Sequence, residues 1–294
     1  MLNLIKMDMY RMFHSLSTWV ILAVTVGLAA FSVIATNLDL EAMNETVSQE
    51  TVTSIDGEES SGSAETEDNT VVIGIQADTN PEWIQGKINM GDLVTTQLRS
   101  GLLVLLCVII TAIFTCADQK NGYIKNIAGQ LPNRGVLAVS KMICLAILTV
   151  IMMAVFILTV IITGAMFWSG RLYMEDWGSL LTVLGTQYLL HMGFCALVMF
   201  LCTLTKSSAV GMTVGIVIMI GLLMPVYSVI NYGIAQINSH WNFDISKYML
   251  EGNLSLARTG APAGDLIHGS AVGAVFILLG TILAMVIMKK RDVR

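Results

Sequence analysis

Six stretches of this 294-residue chain, 19–36, 100–117, 142–167, 179–204, 208–230 and 266–288, contain no Asp, Glu, Lys or Arg. Each runs for 18 to 26 residues, and about 20 apolar helical residues cross a hydrocarbon core of about 30 Å. Lipid offers no partner for a backbone N–H or C=O, so each crossing segment must bond to itself as a helix. The expected fold class is all-α: a polytopic membrane protein with six transmembrane helices. Only 13% of the residues are charged, against about a quarter in soluble proteins. That excludes a soluble enzyme, a secreted disulfide scaffold and a disordered chain.

The distribution of charge orients the spans. With the N-terminus cytoplasmic, the inside segments 1–18, 118–141, 205–207 and 289–294 carry 11 of the 16 basic residues against three acids. The outside segments carry five basic residues against 18 acids. Lys and Arg are retained in short cytoplasmic loops, so both ends are expected inside a cell membrane, expected to be bacterial. Val33-Ile34-Ala35 resembles a signal-peptide cleavage site. The 18-residue apolar run before it exceeds the roughly 7–15 residues of a signal core, so the first span is expected to be retained.

The connecting segments have characters of their own. In 1–18, Leu2, Ile5, Met9, Met12, Phe13 and Leu16 recur at steps of three and four, with Asn3, Lys6, Tyr10 and Arg11 largely opposite. This predicts an amphipathic helix lying in the inner headgroup layer. Segment 37–99 is an acidic extracellular segment, expected to be partly disordered. Its portion 37–92 holds 13 acids and one basic residue, Lys87. Its Ser48–Thr70 stretch is rich in Ser, Thr, Glu and Gly, a composition that buries too little to offset ordering entropy. Val71 to Ile75 reads as a short strand, and Pro81 to Leu93 as a short helix with Trp83 near the interface. This acidic field is either a collector of cationic peptides or metal ions, or a solvated loop that obeys topology.

The cytoplasmic loop 118–141 contains Gly122 and Gly129 bracketing a short amphipathic helix, suited to docking in a groove of a cytoplasmic partner. Anionic lipid holding a plain basic tether is the other reading. In the fourth span Gln187 and His191 share one helix face. They either line a pathway or hydrogen-bond to another helix. Gly211-x-x-x-Gly215 and Gly269-x-x-x-Gly273 allow close helix contact, and Pro225 is expected to kink the fifth span. Segment 231–265 is expected to form short interfacial or re-entrant helices outside, before the last span, and 289–294 a basic cytoplasmic tail. The five cysteines all fall within spans, with no Cys-x-x-Cys pair, and read as packing residues.

Several chemistries have no sequence support. There is no His-Glu-x-x-His, no Gly-x-Ser-x-Gly and no phosphate-cradling Gly-x-x-x-x-Gly-Lys-Ser/Thr. The spans carry no carboxylates for ion coupling. Work against a gradient would therefore draw on a separate ATPase.

At residue level, Asp118-Gln-Lys-Asn-Gly122-Tyr-Ile-Lys125-Asn126, then Leu131-Pro132-Asn133-Arg134 and Ser140-Lys141, is similar to a pattern in the type-2 ABC transporter permeases. The six-span organisation resembles that family over essentially the whole chain, and the residue match covers about two dozen positions. Asp118 stands where many members have Glu, and the acidic segment is longer than in the smallest members. The resemblance implies a permease subunit that is not itself an enzyme and has no cofactor of its own. Two such subunits, identical or homologous, would form the pathway. ATP and Mg would be held by separate ATPase subunits docked on a cytoplasmic coupling helix. It implies coupling roles for Asp118, Gly122, Lys125, Asn126, Pro132, Arg134 and Lys141; Gln187 and His191 stand as pathway-lining candidates from their polarity and shared helix face alone. Export of an antimicrobial peptide, drug, lipid or ion is the implied activity. The rival readings are a peptide-binding immunity or receptor protein and an intramembrane enzyme, neither with an ATPase partner.

Overall fold

The computed structural model of the chain describes residues 2–53, 80, 83–84, 86–120, 135–174, 176–237 and 244–290. Helix α1, Leu2–Phe13, turns into α2, Leu16–Thr53, through an elbow that the second helix caps. The last carbonyls of a helix have no partner within it. Here the Thr18 hydroxyl donates to the Met12 carbonyl (2.6 Å) and the Trp19 indole to that of Phe13 (2.8 Å). The α1 helix is as expected, but its buried side is not. Leu2 is 84% exposed, and the stripe that packs inward is Leu4, Asp8 and Met12.

The second difference concerns the end of α2. The span 19–36 was expected to give way to a loop at 37, yet the helix continues to Thr53. Neither glycine nor proline interrupts the sequence between Gly27 and Gly57, so loss of apolarity ends the span without ending the helix. Asn37 donates to Glu41 across one turn (2.7 Å), and Leu40 is still buried. The strand expected at 71–75 lies outside the described residues.

After the acidic segment, β1, Ile88–Asn89, pairs in parallel with β2, Leu172–Tyr173. Helix α3, Met90–Arg99, starts where the Asn89 side chain accepts from the Gly91 N–H (3.0 Å). It is bent by 47° from α4, Leu102–Lys120, at Gly101, whose φ of +81° suits a residue without Cβ. The expected helix over 81–93 is thus displaced towards 90–99. Polar residues within α3 hid its burial from the sequence pattern, and distant partners satisfy them. Gln97 donates to the Thr36 hydroxyl (2.9 Å), and Thr95 shares a hydrogen bond with Thr259 (2.9 Å).

Helices α5, Val136–Trp168, and α6, Trp177–Thr205, follow. Asp176 caps α6 through the N–H groups of Gly178 and Ser179. Helix α7, Ser208–Met219, is separated from α8, Met224–Ile237, by a 64° bend. The kink expected at Pro225 lies ahead of it, at 220–223, where Gly221 has φ +75°. Pro225 occupies the first turn of α8, where a missing N–H costs nothing. A 3-10 turn, Ile245–Tyr248, and α9, Leu250–Leu256, supply the short helices expected before α10, Ala263–Lys290.

Helix α6 is the centre of the bundle, packed against α4, α5, α7, α9 and α10. Its closest neighbour is α10. A Cβ on Gly273 would stand 2.8 Å from the Leu189 backbone, and one on Gly280 2.7 Å from that of Ala196. The two helices run in the same direction in contact. Gly211 and Gly215 set α7 against Cys202 and Val198 of α6, with Val108 of α4 alongside. Leu158 and Ile162 of α5 and Ile267 and Leu278 of α10 point outward, apolar and exposed. Faces of that extent suit lipid, not water. The fold is that of an all-α polytopic membrane protein. Among the described residues four helices are long and apolar enough to cross a membrane, or up to six when each bent pair counts as one span.

Candidate functional site

The loop 118–141 is the segment that the sequence marks most strongly, and its two flanks are held by buried charge. Asp118 falls in the last turn of α4, described through its backbone. Gly122, Lys125, Asn126, Pro132 and Arg134 lie outside the described residues. Lys141, at the far flank, is 1% exposed, one turn into α5, and does not stand on a loop surface. Its ammonium donates to the Thr115 carbonyl of α4 (3.0 Å) and lies 5.7 Å from the centre of the Phe114 ring. That carbonyl has its hydrogen-bonding N–H one turn later, so the lysine staples the C-terminal part of α4 to the start of α5.

Next to Lys141, the Ser140 hydroxyl donates to Asp8 of α1 (2.6 Å). Asp8 is also 1% exposed and lies 3.8 Å from the Arg11 guanidinium. Asp8 and Lys141 are both within electrostatic reach of the Cys144 thiol, which itself donates to the Ile5 carbonyl (3.9 Å). Unpaired charge in an apolar interior is costly, so this node fixes α1, α4 and α5 at one end of the bundle. Asp8 could not be found from the sequence. It sat outside the apolar stripe assigned to α1, and its hydrogen-bond donor Ser140 is 132 residues away.

Gln187 and His191 are both fully buried. The Gln187 amide donates to the carbonyls of Leu254 (3.2 Å) and Ala257 (2.9 Å). It thereby satisfies the C-terminal carbonyls of α9 that the helix itself leaves open. His191 Nδ1 bonds the Gln187 carbonyl one turn back (2.7 Å). A carbonyl only accepts, so Nδ1 carries a proton, and Nε2 is buried with no hydrogen-bond partner among the described residues. The amide joins two elements, as one of the two sequence readings expected.

The opposite end of the bundle holds polar groups that no motif indicated. Arg171 donates to the carbonyls of Trp83, Ile84 and Gly86, and so binds the end of the acidic segment to the α5–α6 turn. Trp83 is buried under this clasp. Glu251 of α9 accepts from the Tyr227 hydroxyl (2.6 Å). Burial raises its carboxyl above the ordinary range, and the Tyr227 bond only partly opposes this. Asp244 is the reverse case. Partial burial acts to raise it, but hydrogen bonds from Ser246 and Asn231, with Lys247 nearby, bring it below the ordinary range. Two cavities open at this end. One, of about 500 Å³, lies between Leu181, Gly185 and Thr186 of α6 and Leu266, Ile267 and Ser270 of α10. The other, of about 460 Å³, is lined by Lys247, Tyr248, Asn253, Leu256, Asp265 and His268. Among the described residues no three His, Cys, Asp or Glu come together as a metal site would need.

Comparison with curated proteins gives no match. A family model described as "Protein of unknown function (DUF2705)" matches residues 76–294, which take in Lys141, Gln187, His191 and both cavities. With most of its length matched, the chain belongs to the DUF2705 family.

Proposed function

We propose that this chain is the membrane-spanning permease subunit of an ATP-driven exporter of the ABC type. Its six spans are α2, α3 with α4, α5, α6, α7 with α8, and α10, with the α1 end cytoplasmic. Support for that orientation comes from Lys6, Arg11, Lys141, Lys206, Lys289 and Lys290, which gather at the α1 end, while Asp39, Glu41, Asp176 and Asp265 stand at the other. Two permease subunits enclose the pathway, and separate ATPase subunits holding ATP and Mg dock on the loop 118–141.

The observation that carries the reading is the buried node Asp8–Ser140–Lys141–Thr115. A docking loop transmits force only if its ends are rigidly attached to the spans. Here both flanks are fixed to each other and to the interfacial helix. Asp118, Gly122, Lys125, Asn126, Pro132 and Arg134 then form the surface that meets the ATPase, with Lys141 its internal anchor.

The test is co-purification with the candidate ATPase, followed by measurement of ATP hydrolysis in lipid. Charge reversal at Lys125 and Arg134 together is expected to lower capture of the ATPase and its stimulated turnover. Capture and turnover both equal to those of the unaltered chain would overturn the assignment.

A further inference from the structure

The cavity between the 3-10 turn, α9 and the start of α10 is built in advance of any ligand. The Lys247 carbonyl is held twice, by the Asn253 amide (2.6 Å) and by His268 Nε2 (2.8 Å). Asn253 is 2% exposed and spends another bond on the Met249 carbonyl (2.8 Å). The Tyr248 ring meets His268 edge-on, with centroids 5.5 Å apart. Because a carbonyl only accepts, Nε2 carries a proton. Floor and walls are thus fixed by polar bonds among the 3-10 turn, α9 and α10.

Into this frame project two opposite charges, Lys247 and Asp265, both exposed. They do not pair with each other. No ion pair within 4.0 Å joins the two. Asp244, the other acid near Lys247, already accepts from Ser246 and Asn231. A purely anionic ligand would meet Asp265, and a purely cationic one Lys247, each with a repulsive partner. A ligand carrying both charges meets both favourably. The volume of about 460 Å³ lies in the range of small-ligand sites, and Tyr248 and Leu256 give an apolar edge. The cavity stands where the apolar run of α10 begins; in the six-span reading proposed above that is the headgroup layer, whose anion is phosphate.

We propose that this cavity binds an ammonium–phosphate zwitterion of the phosphoethanolamine type, phosphate towards Lys247 and ammonium towards Asp265. The source is either a phospholipid headgroup or the soluble compound. The site is independent of the exporter reading, and its test needs no ATPase.

The full chain in neutral detergent is titrated by native mass spectrometry with phosphatidylethanolamine, phosphatidylglycerol or soluble phosphoethanolamine. Phosphatidylethanolamine is expected to be retained about tenfold better than phosphatidylglycerol, the equivalent of one well-placed charge contact. Lys247→Gln and Asp265→Asn should each remove most of that preference, and Asp265→Asn should also raise retention of the anionic lipid. Both side chains are exposed, so these variants report binding and not folding. Displacement of the lipid by soluble phosphoethanolamine supports the site and shows that the headgroup suffices. Retention without displacement supports it with the membrane as the source, and binding of the soluble compound alone supports it with solution as the source. Equal retention of the two lipids without binding of the soluble compound, or unchanged binding in both variants, would overturn it.

Discussion

At the α1 end of the bundle one pair of opposite charges is enclosed, and at the opposite end another stands in the open. Asp8 and Lys141 are buried and bonded to Ser140 and Thr115, while Lys247 and Asp265 face a cavity. The pair α6 and α10 shows the same contrast. At Gly273 and Gly280 the two backbones touch; towards residues 181 and 267 they part around about 500 Å³ of space. Enclosed charge must be paired, so it determines where helices sit. Hydrated charge needs no partner and remains available to something else. The first end is built to hold, and the second to receive.

The largest effect is expected from breaking the enclosed node. Asp8→Ala leaves neighbouring buried polar groups without their acceptor and should cost about 3 kcal/mol. Ser140→Ala should cost about half of that, as loss of one hydrogen bond to a charged group. Thermal unfolding of the purified chain, monitored through the buried cysteine thiols, would measure both. Additive losses in the double variant would show that the two side chains do not act as a unit.

A smaller effect is expected along α6 and α10. Gly280→Leu drives a side chain into the Ala196 backbone and should cost about 2 kcal/mol. Gly185→Leu has nothing within 4 Å of its new Cβ and should leave unfolding nearly unchanged. Equal melting temperatures for the two variants would contradict the closed-and-open contrast.

The smallest effect concerns pH at the open end. Glu251 is raised in the fold, so its contribution is present below the ordinary carboxylate range and is lost as pH rises through the folded value. Asp244 is lowered, so its contribution is present above the ordinary range and is lost as pH falls. Melting curves taken from acid to neutral pH should therefore flatten on the alkaline side in Glu251→Gln and on the acid side in Asp244→Asn. Identical pH profiles for both variants and the unaltered chain would refute these signs.

Much of the bundle was legible because lipid allows so few solutions. Runs without charge had to be helices, and α5, α6 and α10 lie within a few residues of the stretches read from composition. Boundaries were legible where a side chain set them, and misplaced where apolarity alone had to. The α2 helix outruns its span because Glu, Ala and Met are good helix formers in water. The α3 helix was missed because Gln97 and Thr95 look exposed until Thr36 and Thr259 are placed against them. In the fifth stretch, Pro225 drew the kink that Gly221 makes, since a sequence does not show which residue begins a helix.

The sites divide the same way. Lys141 could be singled out from its place beside a span, but not its burial. Arg171, Asp8 and the Lys247–Asp265 cavity carried no signal, because each acts through backbone carbonyls or partners far away in the chain. The sequence by itself determined that this is a multi-pass helical membrane protein, since hydrocarbon imposes helix on any uncharged run and excludes free charge. Only the tertiary structure decided which charges are enclosed and which stay open. That depends on whether a partner from elsewhere in the chain arrives within hydrogen-bond reach, and linear spacing does not encode distance across a fold.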